Sequence, residues 1–236
     1  MSFLLAATLA TFLSGETLDY ELKWLKITGG SARMTIGPLQ DDRLRITSVG
    51  KSSPGFSRFF KVRDEIETIV AKDDFSTLRY TKRLDEQGDK MEEVTTIEDG
   101  VATRKRKKIK KVDVPRPVYD PISVIYHLRT LDLSPGKTHD FTLIADGKVY
   151  VVHAVVVRRE VLKTPAGRFN TVVIEPKMSA AGVNREERLW IWYSDDERRI
   201  PVRIRTEVNF GAITATLRAV TPGVGPIDPP VLRDAR

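Results

Sequence analysis

The stretch Ile200-Pro-Val-Arg-Ile-Arg-Thr-Glu-Val208 decides the fold class, because its side chains alternate strictly. Ile200, Val202, Ile204, Thr206 and Val208 fall on one side of an extended chain, with Pro201, Arg203, Arg205 and Glu207 on the other. That is the period of a strand with one wet face. Past Phe210-Gly211 the alternation resumes, with Ile213, Ala215 and Leu217 against Ala212, Thr214, Thr216 and Arg218. Near the start, Leu18, Tyr20, Leu22 and Trp24 alternate with Asp19, Glu21 and Lys23. Antiparallel sheet solvated on one face carries this signature.

Turn signals divide the rest into hairpin-sized segments: Gly29-Gly30, Asp41-Asp42, Asp73-Asp74, Gln87-Gly88-Asp89, Glu98-Asp99-Gly100, Asp146-Gly147, Pro165-Ala166-Gly167 and Ser194-Asp195-Asp196. The spacing predicts an all-β chain of about a dozen strands in a sandwich or barrel-like sheet. Residues 149–157 and 189–193 are apolar on both faces and need cover on both sides. A helix over residues 120–131 is the expected cover. Asp120 suits its N-cap and Pro121 its first turn, and Val124, Ile125, Leu128 and Leu131 share a face. Ser134-Pro135-Gly136 ends it. A shorter turn is expected over residues 54–60, clustering Phe56, Phe59 and Phe60.

With 236 residues, 41% apolar and 30% charged, the chain fits a large single β domain, expected over residues 16–220. It has no cysteine, which excludes disulfides, thiolate metal sites, cysteine nucleophiles and a lipid-modified N-terminal cysteine. Residues 3–13 form an apolar run too short to span a bilayer but suited to a signal-peptide core, although no basic residue precedes Lys23. Residues 1–15 are therefore expected to be a leader, with the mature chain exported and starting near Glu16; a first buried strand of the mature fold is the competing reading. Residues 221–236, rich in proline and glycine, read as a disordered tail.

The formal net charge of +7 has a local origin. Arg104, Lys105, Arg106, Lys107, Lys108, Lys110 and Lys111 supply seven cations in one run, equal to the whole net charge, so the remaining surface is balanced. A solvated hairpin tolerates such a run, and anionic lipid headgroups, lipopolysaccharide or another acidic envelope partner would compensate it; both readings stay open. Nucleic acid is disfavoured, since no aromatic residue is interleaved.

A catalytic constellation is missing from the sequence. Asp195-Asp196-Glu197, followed by Arg198 and Arg199, reads as a polar turn, and Ser123 after Asp120 as helix-start chemistry. His153, among Tyr150, Val151, Val152 and Val155, reads as a core or interface histidine. No phosphate or dinucleotide loop is present, and no metal or cofactor is expected. The aromatic set Tyr20, Trp24, Phe56, Phe59, Phe60 and Tyr126 is the candidate lining of an apolar cavity, joined by Val124 and Leu128 from the helix. Ordinary core packing is the competing explanation for the same residues.

Several segments in order resemble the family known as domain of unknown function 3108. They are Gly15-Glu-Thr-Leu-Asp-Tyr-Glu-Leu-Lys-Trp24, Phe59-Phe-Lys-Val-Arg-Asp64, Tyr119-Asp-Pro-Ile-Ser123 and Thr164-Pro-Ala-Gly-Arg-Phe169. Trp192-Tyr-Ser-Asp-Asp-Glu-Arg-Arg-Ile-Pro-Val-Arg203, followed by Phe210-Gly-Ala-Ile-Thr214, is the most specific. The resemblance implies an exported bacterial envelope protein without assigned activity or catalytic residues. It also implies a strongly curved antiparallel sheet, or open barrel, with the helix on its concave face, similar to periplasmic lipoprotein carriers. The expected function is non-enzymatic binding of a lipid or other apolar ligand between sheet and helix. The alternative is a structural or protein–protein module docking through the basic run.

Overall fold

The computed structural model describes residues 12–58, 61–180, 183–184, 188–208, 211–224 and 226–227. Alternation becomes strand nearly everywhere. The chain runs through β1 (Phe12–Leu13), β2 (Thr17–Trp24), β3 (Ile27–Ile36), β4 (Arg43–Ser52), β5 (Val62–Ala71), β6 (Thr77–Glu86), β7 (Asp89–Glu98), β8 (Val101–Lys105), β9 (Ile109–Asp113) and β10 (Val118–Tyr119). After α1 (Ser123–Leu128) come β11 (Thr138–Ala145), β12 (Lys148–Thr164), β13 (Gly167–Ala180), β14 (Val183–Asn184), β15 (Arg188–Ser194), β16 (Pro201–Val208), β17 (Gly211–Thr221) and β18 (Pro226–Ile227).

All but β1 and β18 form one 16-stranded sheet, ordered β10-β11-β12-β13-β15-β16-β17-β2-β3-β4-β5-β6-β7-β8-β9, with β14 beside β13. Only the short β10–β11 pair is parallel. β1 and β18 pair with each other, joining Phe12–Leu13 of the apolar N-terminal run to Pro226–Ile227 of the proline-rich segment. Ser14 and Gly15 are also held, through Val224 N–H to Ser14 O at 2.7 Å and Gly15 N–H to Ile36 O at 2.8 Å. The rest of the expected leader and tail, residues 1–11 and 228–236, lies outside the described residues.

One face of the sheet is rolled inward. Leu18 and Tyr20 pair across the strands with Met34 and Ala32, Ile36 with Ile46, and Leu217 with Tyr20. The row continues through Ile191 and Tyr193, Ile174 and Val172, then Val156, Val152 and Tyr150, all in one buried core. The sheet does not close into a barrel, because neither β9 nor β10 hydrogen-bonds to the other. Its ends overlap instead. Ile97 and Ala102 lie on the inward row of β7 and β8, yet they pack with Ile144, Val118 and Val149. Ile144 and Val149 point outward, on the side opposite Leu143 and Tyr150 of the main core. The β7–β9 end therefore lies over the back of β10–β12. The Asp146-Gly147 turn is wedged there, with Asp146 3.3 Å from the Lys82 ammonium. A Cβ on Gly147 would sit 2.7 Å from the Arg104 side chain and push it aside, and the backbone there has φ 72°, which favours glycine.

The helix expected over residues 120–131 is cut to six residues. Asp120 does start it, accepting the N–H groups of Ile122 and Ser123 at 2.7 and 3.0 Å, while Thr68 and Thr77 donate to its other oxygen at 2.5 and 2.7 Å. Past Leu128 the N–H groups of Arg129, Thr130 and Leu131 reach back only three residues, which tightens and ends the helix. Burial is not confined to one face: Ser123, Val124, Ile125, Tyr126 and Leu128 are all enclosed.

Arg129 is the first residue past the helix. Its guanidinium is fully buried and meets both oxygens of buried Glu16 at 2.6 and 3.2 Å. It also donates to Arg198 O at 2.8 Å and lies 5.4 Å from the centre of the Tyr126 ring. Breaking a buried pair from one side strands the other charge at a cost of roughly 3–5 kcal/mol. Arg129→Met should lower the urea unfolding free energy by about that much, and the double variant with Glu16→Leu should recover most of the loss.

Candidate functional site

A cavity of about 1030 Å³ opens at one end of the rolled sheet, where β2, β3, β4, β5 and β17 meet. Interior side chains taper there. Along β4 the inward row passes from Leu44 and Ile46 to Ser48, Gly50 and Ser52, and along β3 from Ile36 and Met34 to Ala32 and Gly30. Large residues fill the roll at one end and small ones leave space at the other. Leu22, Trp24, Ile27, Phe56, Val62 and Ile213 supply the apolar wall. Trp24 pairs with Ile27 on one side and Ile213 on the other. These three are 41%, 58% and 50% exposed, a contiguous apolar rim of the kind that marks binding sites.

Local chemistry builds the far wall. A single 3₁₀ turn, Phe56–Arg58, is held by Ser57 N–H to Ser53 O at 2.8 Å and by Ser53 N–H to Gly29 O at 2.8 Å. Its Phe56 ring lies over Gly29, where a Cβ would be 3.8 Å away. Gly30 is needed for a different reason: a Cβ there would approach Lys51 O to 2.3 Å, so β3 and β4 could not come together. Gly29-Gly30 is thus not the hairpin turn that its sequence suggests. The turn lies at Leu25-Lys26, with Leu25 at φ 55°, and both glycines belong to β3. Gly50 differs again, since a Cβ there meets nothing within 4 Å and would project into the cavity space it lines.

The structure divides the sequence-selected lining residues. Trp24 and Phe56 border the cavity. Tyr20, Val124, Tyr126 and Leu128 do not: each is at most 8% exposed within the main core. The helix therefore fills its part of the roll, and the expected groove between helix and sheet gives way to one between strands and the 3₁₀ turn. Phe59 and Phe60 lie outside the described residues. Leu22, Ile27, Val62 and Ile213 were missed, although Leu22 and Ile213 stand in alternating rows that the sequence does show.

Three charged residues, Lys23, Lys51 and Asp64, also line the cavity, the two lysines from the outward-facing rows of β2 and β4. Asp64 follows Gly50 in the inward row, and its Oδ1 is closed off from solvent without a hydrogen-bond partner. Burial first, then the Glu86 carboxylate, hold its carboxyl above the usual range, against the opposing pull of Lys82 and the Asp85 N–H.

Residues 19–218, the span from β2 into β17, match the profile of a family described as a protein of unknown function, DUF3108. The chain belongs to the DUF3108 family. No curated protein matches its sequence. In fold, this DUF3108 chain is similar to a β-barrel-like protein of domain of unknown function DUF1849 from Brucella abortus, with TM-score 0.65, 12% identity and 90% and 99% of the two chains covered. A protein with a YmcC-like fold from Bacteroides fragilis matches at TM-score 0.37 and 11% identity, over 90% of this chain and 98% of that one. The hypothetical protein CT021 from Chlamydia trachomatis matches at TM-score 0.37 and 11% identity, over 97% and 96%.

The basic run of the DUF3108 chain occupies β8, the tip at residues 106–108 and β9, well round the sheet from the cavity. It is not uniform. Arg104 points inward and pairs with Glu93 at 2.5 Å, with side-chain exposures of 12% and 1%, so it is structural and not an anion contact. Lys105, Lys107, Lys108, Lys110 and Lys111 are exposed and have no ion pair among the described residues. β9 is the end of the sheet, and lysines on a free edge discourage pairing with another chain.

Elsewhere the polar groups have structural partners. Asp196 accepts from Ser194 Oγ at 2.7 Å and from the N–H groups of Arg198 and Arg199, both at 3.1 Å, which makes it a turn cap. His153 is on the outer surface, 2.5 Å from Asp140, and not in the core. Among the described residues no cluster of three or more His, Asp or Glu could hold a metal ion, and no helix is long and apolar enough to cross a membrane. Arg104→Gln should destabilise the fold by on the order of 3 kcal/mol, because Glu93 is left buried and unpaired. Replacing the five exposed lysines by Gln should change it by less than about 0.5 kcal/mol. Urea unfolding of both variants checks the contrast.

Proposed function

We propose that this protein is a non-enzymatic envelope binding protein that holds the apolar chain of an amphiphile in the cavity between β2–β5, β17 and the Phe56 turn. The open apolar rim of Trp24, Ile27 and Ile213 around about 1030 Å³ carries the reading, because isolated surface apolar residues are common but a concave, contiguous set is not. Sequestration is the mechanism: the chain leaves water, each buried methylene contributing about 0.8 kcal/mol against the cost of association. The apolar N-terminal run supports an exported location.

Isothermal titration with saturated amphiphiles of increasing length should show Kd tightening about tenfold for every two carbons until the cavity is full. Gly50→Leu, which fills open space, should abolish binding while leaving the unfolding midpoint nearly unchanged. Trp24→Phe should remove most of the ligand-induced change in tryptophan emission. Wild-type protein that binds no amphiphile ends this reading.

A second reading rests on the five unpaired lysines of the β8–β9 hairpin, which would dock the protein on an anionic envelope surface. Co-sedimentation with phosphatidylglycerol vesicles at low salt should be lost on replacing those lysines by Gln, and should fall steeply as salt rises.

A further inference from the structure

Asp64 gives the cavity a chemical preference that its apolar wall lacks. A buried carboxylate oxygen without a partner is costly, and burying one beside a cavity makes sense where a ligand supplies the missing donor. The charges around it point the same way. The Glu86 carboxylate acts on it in the same sense as burial, and the opposing ammonium, Lys82, is shared with Asp146 at 3.3 Å. The lysines of the basic run lie on β8 and β9 and line no part of the cavity. Lys23 and Lys51 line it from the outward rows of β2 and β4, and Lys23 is held by Glu21 at 2.8 Å, so Asp64 is the inward-facing charge on the lining.

We infer that the amphiphile enters with a hydrogen-bond donor, a hydroxyl or an ammonium, against Asp64, and that anionic heads such as a fatty-acid carboxylate are rejected there. This rests on the proposed binding of an apolar chain and adds the head-group class to it. Two features reinforce the assignment. Gly50, the cross-strand neighbour of Asp64, carries no side chain, and the space where its Cβ would stand is open, so the row beside Asp64 is left unfilled. Ser52, also on the lining, has its hydroxyl hydrogen-bonded to Val62 N–H and O at 3.0 and 3.4 Å, whereas the neighbouring Asp64 Oδ1 has no partner.

The test uses three probes that share a twelve-carbon chain, dodecylamine, dodecanol and dodecanoate, each below its micellar concentration, titrated into the full chain, Asp64→Asn and Gly50→Leu. The wild type should bind the amine or the alcohol at least about tenfold more tightly than dodecanoate, the size of one hydrogen bond to a charged group. Asp64→Asn should erase that preference, mainly by tightening dodecanoate and weakening the amine. Tighter binding of the amine than of the alcohol identifies an ammonium head, and the reverse a hydroxyl head. Equal or tighter binding of dodecanoate by the wild type, with Gly50→Leu still abolishing binding, overturns the head-group assignment and leaves the cavity reading standing. An unchanged preference in Asp64→Asn overturns it too. Failure of all three probes to bind the wild type overturns both. Circular dichroism of each variant confirms that a loss of binding is not a loss of fold.

Discussion

The buried pair between Arg129 and Glu16 sets how the rolled sheet is filled. Two full charges sit where water cannot reach them, so the chain has to bring them together with every donor satisfied. Meeting that demand ties the start of β2 to the end of α1 and to the turn before β16, where Arg198 O accepts from the same guanidinium. Arg199 returns the contact by donating to Arg129 O at 3.0 Å. Around the pair stand Tyr20 and Tyr193, whose hydroxyls reach Pro201 O at 2.8 Å and Ile125 O at 3.0 Å. Burial holds both phenols far above their ordinary range, so they act as hydrogen-bonded spacers. Helix, charges and tyrosines together plug one part of the roll.

The cavity is what that plug leaves. A helix of six residues cannot reach the strand ends at Trp24, Ser52 and Val62, and the inward side chains there shrink to serine and glycine. The fold therefore separates a rigid, polar-stapled half from a half whose lining is apolar and sparse.

Much of this was legible in the sequence, for a physical reason. Alternation along β2, β16 and β17 reports which side chains face inward, because the pleat leaves no other option. Turns built on Asp-Gly and Gln-Gly were equally readable, since their left-handed backbone needs those residues. What the sequence concealed was long-range. Nothing local to Ile144 and Val149 says that their outward faces are covered by Ile97 and Ala102 from the other end of the sheet. Nothing near Glu16 announces a partner 113 residues away. The cavity left a faint signal, a row running Leu44, Ile46, Ser48, Gly50, Ser52, but its meaning depends on Gly30 and Asp64 standing beside it. The basic run was visible as charge alone, and only the inward turn of Arg104 shows that one of its members is a structural residue.

The overlapped ends have a mechanical consequence. A barrel closed by hydrogen bonds has a fixed circumference, since its strand number and stagger are locked together. Here the contact round the circle is made by side chains alone, the cluster of Ile97, Ala102, Val118 and Ile144 beside the Lys82–Asp146 ion pair, with no backbone ladder to fix a register. The girth of the roll can thus breathe by small shear at that joint, as a cuff does, while every ladder between neighbouring strands stays intact. Widening the roll at that joint would cost a little side-chain contact and break no strand pairing.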